Sequence, residues 1–196
     1  EENRRADMET FLRNIMSTDS FITAAHFMAQ DLNGKEISFH VNTWGNYFYT
    51  MEPFYQAVDR EHLDQDSRKM LLYPIHQHNY LSTRLSTEAF TIARNYFDLR
   101  GNIQDMVYVG TLYLDVDAQK IRSIIDSVDF LQEERLYILW PDGTCFYSNQ
   151  PEAIGQVFNL EEMGQQKDVM LLQAPSSEYG VRTVVELDTR TAFAPI

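Results

Sequence analysis

The sequence predicts an α+β fold, a long N-terminal helix followed by a mainly antiparallel sheet of about five strands with flanking helices. Three observations carry this prediction. Apolar side chains recur at helical spacing between residues 5 and 30, residues 107–117 alternate apolar side chains in the manner of a strand, and two apolar runs flank the turn Pro141-Asp142-Gly143.

The helix is read first. Met8, Phe11, Leu12, Ile15, Ile22, Ala25 and Ala29 fall at a period of 3.5 to 3.6 residues and predict one helix from about Arg5 to Gln30, ended at Asn33-Gly34 by a left-handed cap. Met8, Ile15, Ile22 and Ala29 also keep a seven-residue repeat, so the same helix suits a core, a dimer seam, or both.

Residues 36–80 carry the aromatic cluster Trp44, Tyr47, Phe48, Tyr49, Phe54 and Tyr55, interrupted by Pro53 and followed by a charged stretch from Asp59 to Lys69. Short helices and loops are expected there. Leu71-Leu72-Tyr73-Pro74 and Glu88 to Tyr96 read as extended segments, the second with Phe90, Ile92, Arg94 and Tyr96 on one face, and Gly101-Asn102 marks a turn into the next strand.

In that strand Tyr108, Leu112, Leu114 and Val116 share one face, and Val107, Val109, Thr111, Tyr113 and Asp115 share the other, because side chains alternate with period two. Asp117 is placed to cap a following helix whose Ile121, Ile124, Ile125 and Val128 form a stripe. Tyr137-Ile138-Leu139-Trp140 and Thr144-Cys145-Phe146-Tyr147-Ser148 then make a hairpin around the Pro-Asp-Gly turn. Val169 to Gln173 and Val181 to Leu187 supply two further strands.

Composition narrows the function classes. A formal net charge of -13 and a pI near 4.7 argue against a nucleic-acid partner bound through a basic surface. The 196 residues hold no apolar stretch long enough to cross a membrane, and a first residue of Glu1 suggests a soluble piece excised from a longer protein. The single Cys145 rules out an internal disulfide, a thiolate metal cluster and a CxxC redox pair, and its place in an apolar strand makes it a core residue. Gly-x-Ser-x-Gly, HExxH, P-loop and dinucleotide signatures are all missing, so no catalytic residue is assigned and no cofactor is called for.

The block from Val107 to Gly155 resembles the central part of the Cache domains, the PAS-like extracytoplasmic sensors of bacterial receptors. The nearest look is to sensor regions of two-component histidine kinases of the YesM-like group, through Gly110, Leu112, Asp115, Asp117, Tyr137, Ile138, Leu139, Asp142 and Gly143. The resemblance implies an N-terminal signalling or dimerisation helix over residues 1–35 and a single or reduced Cache sensor domain over 36–196. It implies a small-molecule ligand, a homodimer through the N-terminal helix, and a parent embedded in the bacterial cell membrane with this part on its extracytoplasmic face. The kinase chemistry then lies outside this chain. The Tyr, Arg, Trp, Tyr and Asp signature of the amino-acid-binding subset has no counterpart here, which makes amino acids a less favoured ligand. The alternatives are a chemoreceptor, a cyclic-dinucleotide enzyme's sensor, and a soluble PAS-like cofactor domain or enzyme.

Ligand contacts are sought among cations and aromatics. Arg94, on an otherwise apolar strand face, needs an anion, either within the chain, such as Asp115, or on a ligand. Trp44, Tyr47 and Tyr73 suit stacking on a small ring, and His76 completes the candidate set. His76 with His78, and Asp115 with Asp117, have side chains of the metal-ligating kind, but two histidines without a third donor do not make a site, and no metal is predicted. Glu133-Glu134 and Glu161-Glu162 are neighbours in sequence, which read as solvated faces.

Overall fold

Ser17-Thr18-Asp19-Ser20 ends the first helix well before the apolar stripe does. The hydroxyls of Ser17 and Thr18 donate to the carbonyls of Asn14 and Ile15 at 2.7 and 2.6 Å, and Asp19 accepts from the Phe21 amide at 2.8 Å. These local bonds compete with the helical ladder. The computed structural model describes residues 2–31, 33–43, 70–77, 88–99, 106–127, 134–174 and 180–192. In it α1 is Glu2–Met16, and the rest of the predicted helix is a strand, β1, Ile22–Gln30.

The physical reason for that difference lies in where β1 sits. It pairs antiparallel with β2, Glu36–Asn42, and with β5, Met106–Asp117, so it is central and its middle residues are buried on both faces. A strand covered on both sides shows no alternation. Gly34 does take a positive φ, as expected, but in the β1–β2 hairpin, where Asp31 accepts the amides of Asn33 and Lys35. Likewise β2 replaces the loop and short helix expected after residue 36.

The five-stranded sheet has the order β2-β1-β5-β4-β3, with β3 spanning Leu71–Gln77 and β4 spanning Glu88–Leu99, all neighbours antiparallel. One face is apolar. Ala25, Phe27, Val41 and Leu112 pack there on Leu12 of α1, with Met8 and Ile15 beside it. The heptad row is therefore divided: Met8 and Ile15 serve this core and Ile22 belongs to β1. Pro74 does not end β3; it sits at a register shift on a strand that is, among the described residues, at the sheet's edge, where proline is tolerated.

Asp117 caps α2, Ala118–Asp126, by accepting the Gln119 amide at 2.9 Å. Ile121 and Ile125 are half-buried while Ile124 is exposed, and Val128 lies outside the described residues. A second sheet has the order β7-β6-β9-β8, with β6 Arg135–Leu139, β7 Cys145–Ser148, β8 Val169–Gln173 and β9 Arg182–Asp188. Its core gathers Tyr137, Leu139, Cys145 and Val184 with Met163 from α3, Leu160–Gly164. A short α4, Thr189–Ala192, follows β9.

The Trp140 to Gly143 turn is closed by the Gly143 amide on the Trp140 carbonyl at 2.9 Å, with Gly143 at φ 90°. Cys145 is fully buried. Its thiol is pushed up to about 11 by burial, as a core residue's would be. The chain divides into two units, residues 1–122 and 123–196, where the sequence places one boundary at residue 35.

Candidate functional site

The other face of the five-stranded sheet is the unusual one. Pairing puts Asn42 and His40 of β2, Ala24 and His26 of β1, Asp115, Tyr113 and Thr111 of β5, and Thr91 and Asn95 of β4 on the same side. His26, Thr91 and Asp115 have no exposed surface, and Thr111, Asn95 and Asn42 are buried too. Burying such groups is costly unless each finds a partner.

They find one another in a row that crosses every strand. His40 and His26, directly opposite in register, place their Nδ1 atoms 3.0 Å apart. The Nε2 of His26 stands 2.8 Å from Oδ2 of Asp115. Thr91, opposite Asp115 on β4, donates its hydroxyl to Oδ1 at 2.6 Å. His76 of β3 closes the row with Nε2 at 3.3 Å from the Thr91 hydroxyl, while its Nδ1 faces the Pro74 carbonyl at 2.9 Å. The short Thr91 bond is of the charge-assisted kind. Burial, then the charges of His26 and Arg5, press His40 down to about 3 against an opposing pull from Asp115, so its ring is neutral at ordinary pH. A second set lies on the same face, where Tyr108 bonds Thr111 at 2.7 Å and Thr111 donates to Asn95 at 2.7 Å.

The predicted contacts divide between the two faces. Tyr73 stands opposite Thr91, and His76 opposite Ala89 beyond the register shift, which puts both on the polar face. Arg94 pairs with Leu112, a member of the apolar core under α1, and is exposed. It makes no internal bridge to Asp115, whose oxygens are engaged by His26 and Thr91. Trp44, Tyr47 and His78 lie outside the described residues. Asp117 is occupied as a helix cap, and Glu161 and Glu162 are exposed on α3.

Sequence reasoning missed His26, His40 and Thr91. The available signal was His26 within Ala24-Ala25-His26-Phe27-Met28, an imidazole in a run of apolar residues that must be paired if the run is buried. The second unit holds a separate groove of about 490 Å³, bordered by Trp140, Phe158, Glu161 and Arg182. Among the described residues, Tyr73, His76 and Arg94 do not border it.

No protein-family model and no curated protein matches the chain. Solved structures do. The ligand-binding domain of the Pseudomonas aeruginosa amino acid chemoreceptor PctB, solved with L-Arg, superposes with a TM-score of 0.56 at 14% identity, covering 96% of this chain and 74% of its own. The periplasmic sensory domain of the Campylobacter jejuni chemoreceptor Tlp1 gives 0.54 at 10% identity, over 93% of this chain and 78% of that one. The extracellular domain of the putative histidine kinase soHK1S-Z6 gives 0.54 at 11%, over 98% and 80%. The chain has the Cache-like α+β fold of extracytoplasmic sensory domains, a fold that chemoreceptors and histidine kinases share.

Proposed function

We propose that this chain is the extracytoplasmic ligand-sensing part of a membrane receptor, binds a small polar solute and catalyses nothing itself. The observation that carries the reading is the buried polar face of the first sheet, where a fold used for ligand sensing places hydrogen-bonding side chains in place of an apolar core. Tyr73 and His76 border this face and are the proposed contacts, with Trp44 and Tyr47 as stacking partners. Arg94, on the opposite face, stays outside the ligand's reach.

The parent is proposed to be a two-component histidine kinase of the YesM-like group, with a chemoreceptor as the alternative. No helix among the described residues is long and apolar enough to cross a membrane. Apolar spans on both sides in the full gene product, followed by kinase motifs, would support that parent; a chain without spans would remove it. A homodimer through α1 belongs to the same proposal, with Phe11, 46% exposed, as its apolar contact.

A thermal-shift screen of sugars, organic acids and amino acids tests the binding. Amino acids belong in the panel because PctB and Mlp24 domains were solved with L-Gln, L-Arg and asparagine. A ligand at a hundred times its Kd adds about 2.7 kcal/mol of stability. Its shift is expected to shrink in Tyr73→Ala and His76→Ala and to persist in Arg94→Ala. A shift lost only in Arg94→Ala, with all three variants folded, would put the site on the other face.

A further inference from the structure

We propose that the groove of the second unit is a binding site for a short peptide with free ends, separate from the polar face of the first sheet. Among the described residues its walls are the β6–β7 turn, the segment 157–162 and the start of β9. These walls are tied together. The Trp140 amide donates to the Thr144 carbonyl at 2.8 Å, the Phe158 amide donates to the Gly143 carbonyl at 2.9 Å, and Thr144 pairs with Val157 as an isolated bridge. Each ring also has a packing partner, Phe146 for Trp140 at 5.3 Å between centroids and Tyr137 for Phe158 at 5.0 Å. A groove whose shape is set before a ligand arrives costs little to order.

Two opposite charges line this groove without meeting. Arg182 stands opposite Leu139 in register, which turns it to the side of the sheet on which Met163 of α3 packs. Glu161 is on α3 itself. Both are exposed, and among the described residues neither the guanidinium nor the Glu161 carboxylate has a hydrogen-bonding or ionic partner. The neighbouring carboxylates are engaged locally: Asp142 accepts the Thr144 amide at 2.9 Å, and Glu162 accepts from the Asn159 side chain at 3.0 Å. Other arginines of the same unit are paired as well, Arg135 with Glu186 at 3.1 Å and Arg190 with Asp188 at 2.5 Å.

The ligand class follows from what satisfies every wall. A plain anion would meet Arg182 and face Glu161, Glu162 and Asp142, whereas a plain cation would meet the carboxylates and face Arg182. A molecule with an ammonium and a carboxylate meets both, the ammonium on Glu161 and the carboxylate on Arg182 through paired charge-assisted hydrogen bonds. Trp140 and Phe158 offer apolar surface to a hydrophobic side chain. Size selects within the class. Pockets of about 300–1,000 Å³ take drug-sized molecules, and at about 490 Å³ this groove is larger than a single amino acid fills, which leaves a peptide of a few residues.

Calorimetric titration of the whole chain with phenylalanyl-leucine tests the site, with the N-acetylated dipeptide, the C-terminal amide and free phenylalanine as comparisons. The free-ended dipeptide should bind, and blocking either end should weaken it by about two- to fivefold, the range for an exposed charge pair. Arg182→Gln should erase the difference made by the amide, and Glu161→Gln the difference made by the acetyl group. Both side chains are exposed, so both variants keep the fold. Tyr73→Ala should leave the titration unchanged, which separates this site from the solute contacts proposed on the first sheet. No binding of phenylalanyl-leucine at millimolar concentration, equal binding of the blocked forms, or loss of binding in Tyr73→Ala overturns the peptide site. Free phenylalanine that binds as tightly as the dipeptide overturns the size argument and the peptide with it.

Discussion

Gly110 of β5 lies against Met28 of β1 so closely that a Cβ built on it would stand 2.6 Å from the Met28 carbonyl oxygen and 2.7 Å from the Phe27 ring. The obstacle is partly backbone, which cannot rotate away, and Phe27 is part of the core under α1. Gly110→Ala is expected to lower stability by about 1–3 kcal/mol, the range for overpacking. A urea midpoint that falls with an unchanged slope would confirm it; an unaltered midpoint would mean that β1 and β5 separate more easily than their pairing implies.

Gly143 tests the second unit. Its φ of 90° resists a side chain, and a Cβ there would come within 2.5 Å of the Phe158 carbonyl oxygen. Gly143→Val should cost about 1 kcal/mol or more from the backbone alone, with the clash added to it. An unchanged melting temperature would contradict the turn.

Cys145 predicts an alkaline slope. Its thiol moves from 9.0 to about 11 on folding, so the folded state keeps a proton that the unfolded chain releases. The stabilisation is complete below pH 9 and is lost as pH rises from 9 towards 11. Cys145→Ala should lose less stability than the wild-type chain over that interval. At pH 8 a thiol reagent should modify Cys145 only as fast as the unit opens.

Phe11 tests self-association. It is 46% exposed on α1, while Leu12 beside it is fully buried in the core. Phe11→Asp should reduce any dimer fraction in analytical ultracentrifugation and leave the melting temperature nearly unchanged, because a surface substitution costs within about 0.5 kcal/mol. A dimer indifferent to this change would place the interface elsewhere.

The elements with one clear period were legible in the sequence. β5, the Asp117 cap, the Pro141-Asp142-Gly143 hairpin and the strands at 169–173 and 182–188 all depend on local chemistry. β1 was not legible, because a central strand with Ala24, Ala25 and Ala29 offers small residues on both faces and fits a helical stripe equally well. The buried row shared that fate. Its members lie far apart in the chain, His26 from Asp115 by 89 positions, and only pairing through the misread β1 brings them together. Arg94 was assigned the right strand and the right face, yet that face turned out to be the one under α1.

Pro74 has a consequence for behaviour in crowded solution. A bare sheet edge is a template on which a strand from another molecule can assemble, and among the described residues β3 forms one edge of this sheet. The proline removes an amide from that margin and the register shift between Tyr73 and His76 bends it, so an incoming strand would find neither a continuous row of donors nor a straight line. At this margin the chain is guarded against templated aggregation, and replacing Pro74 would be expected to make concentrated samples less soluble before it made them less stable.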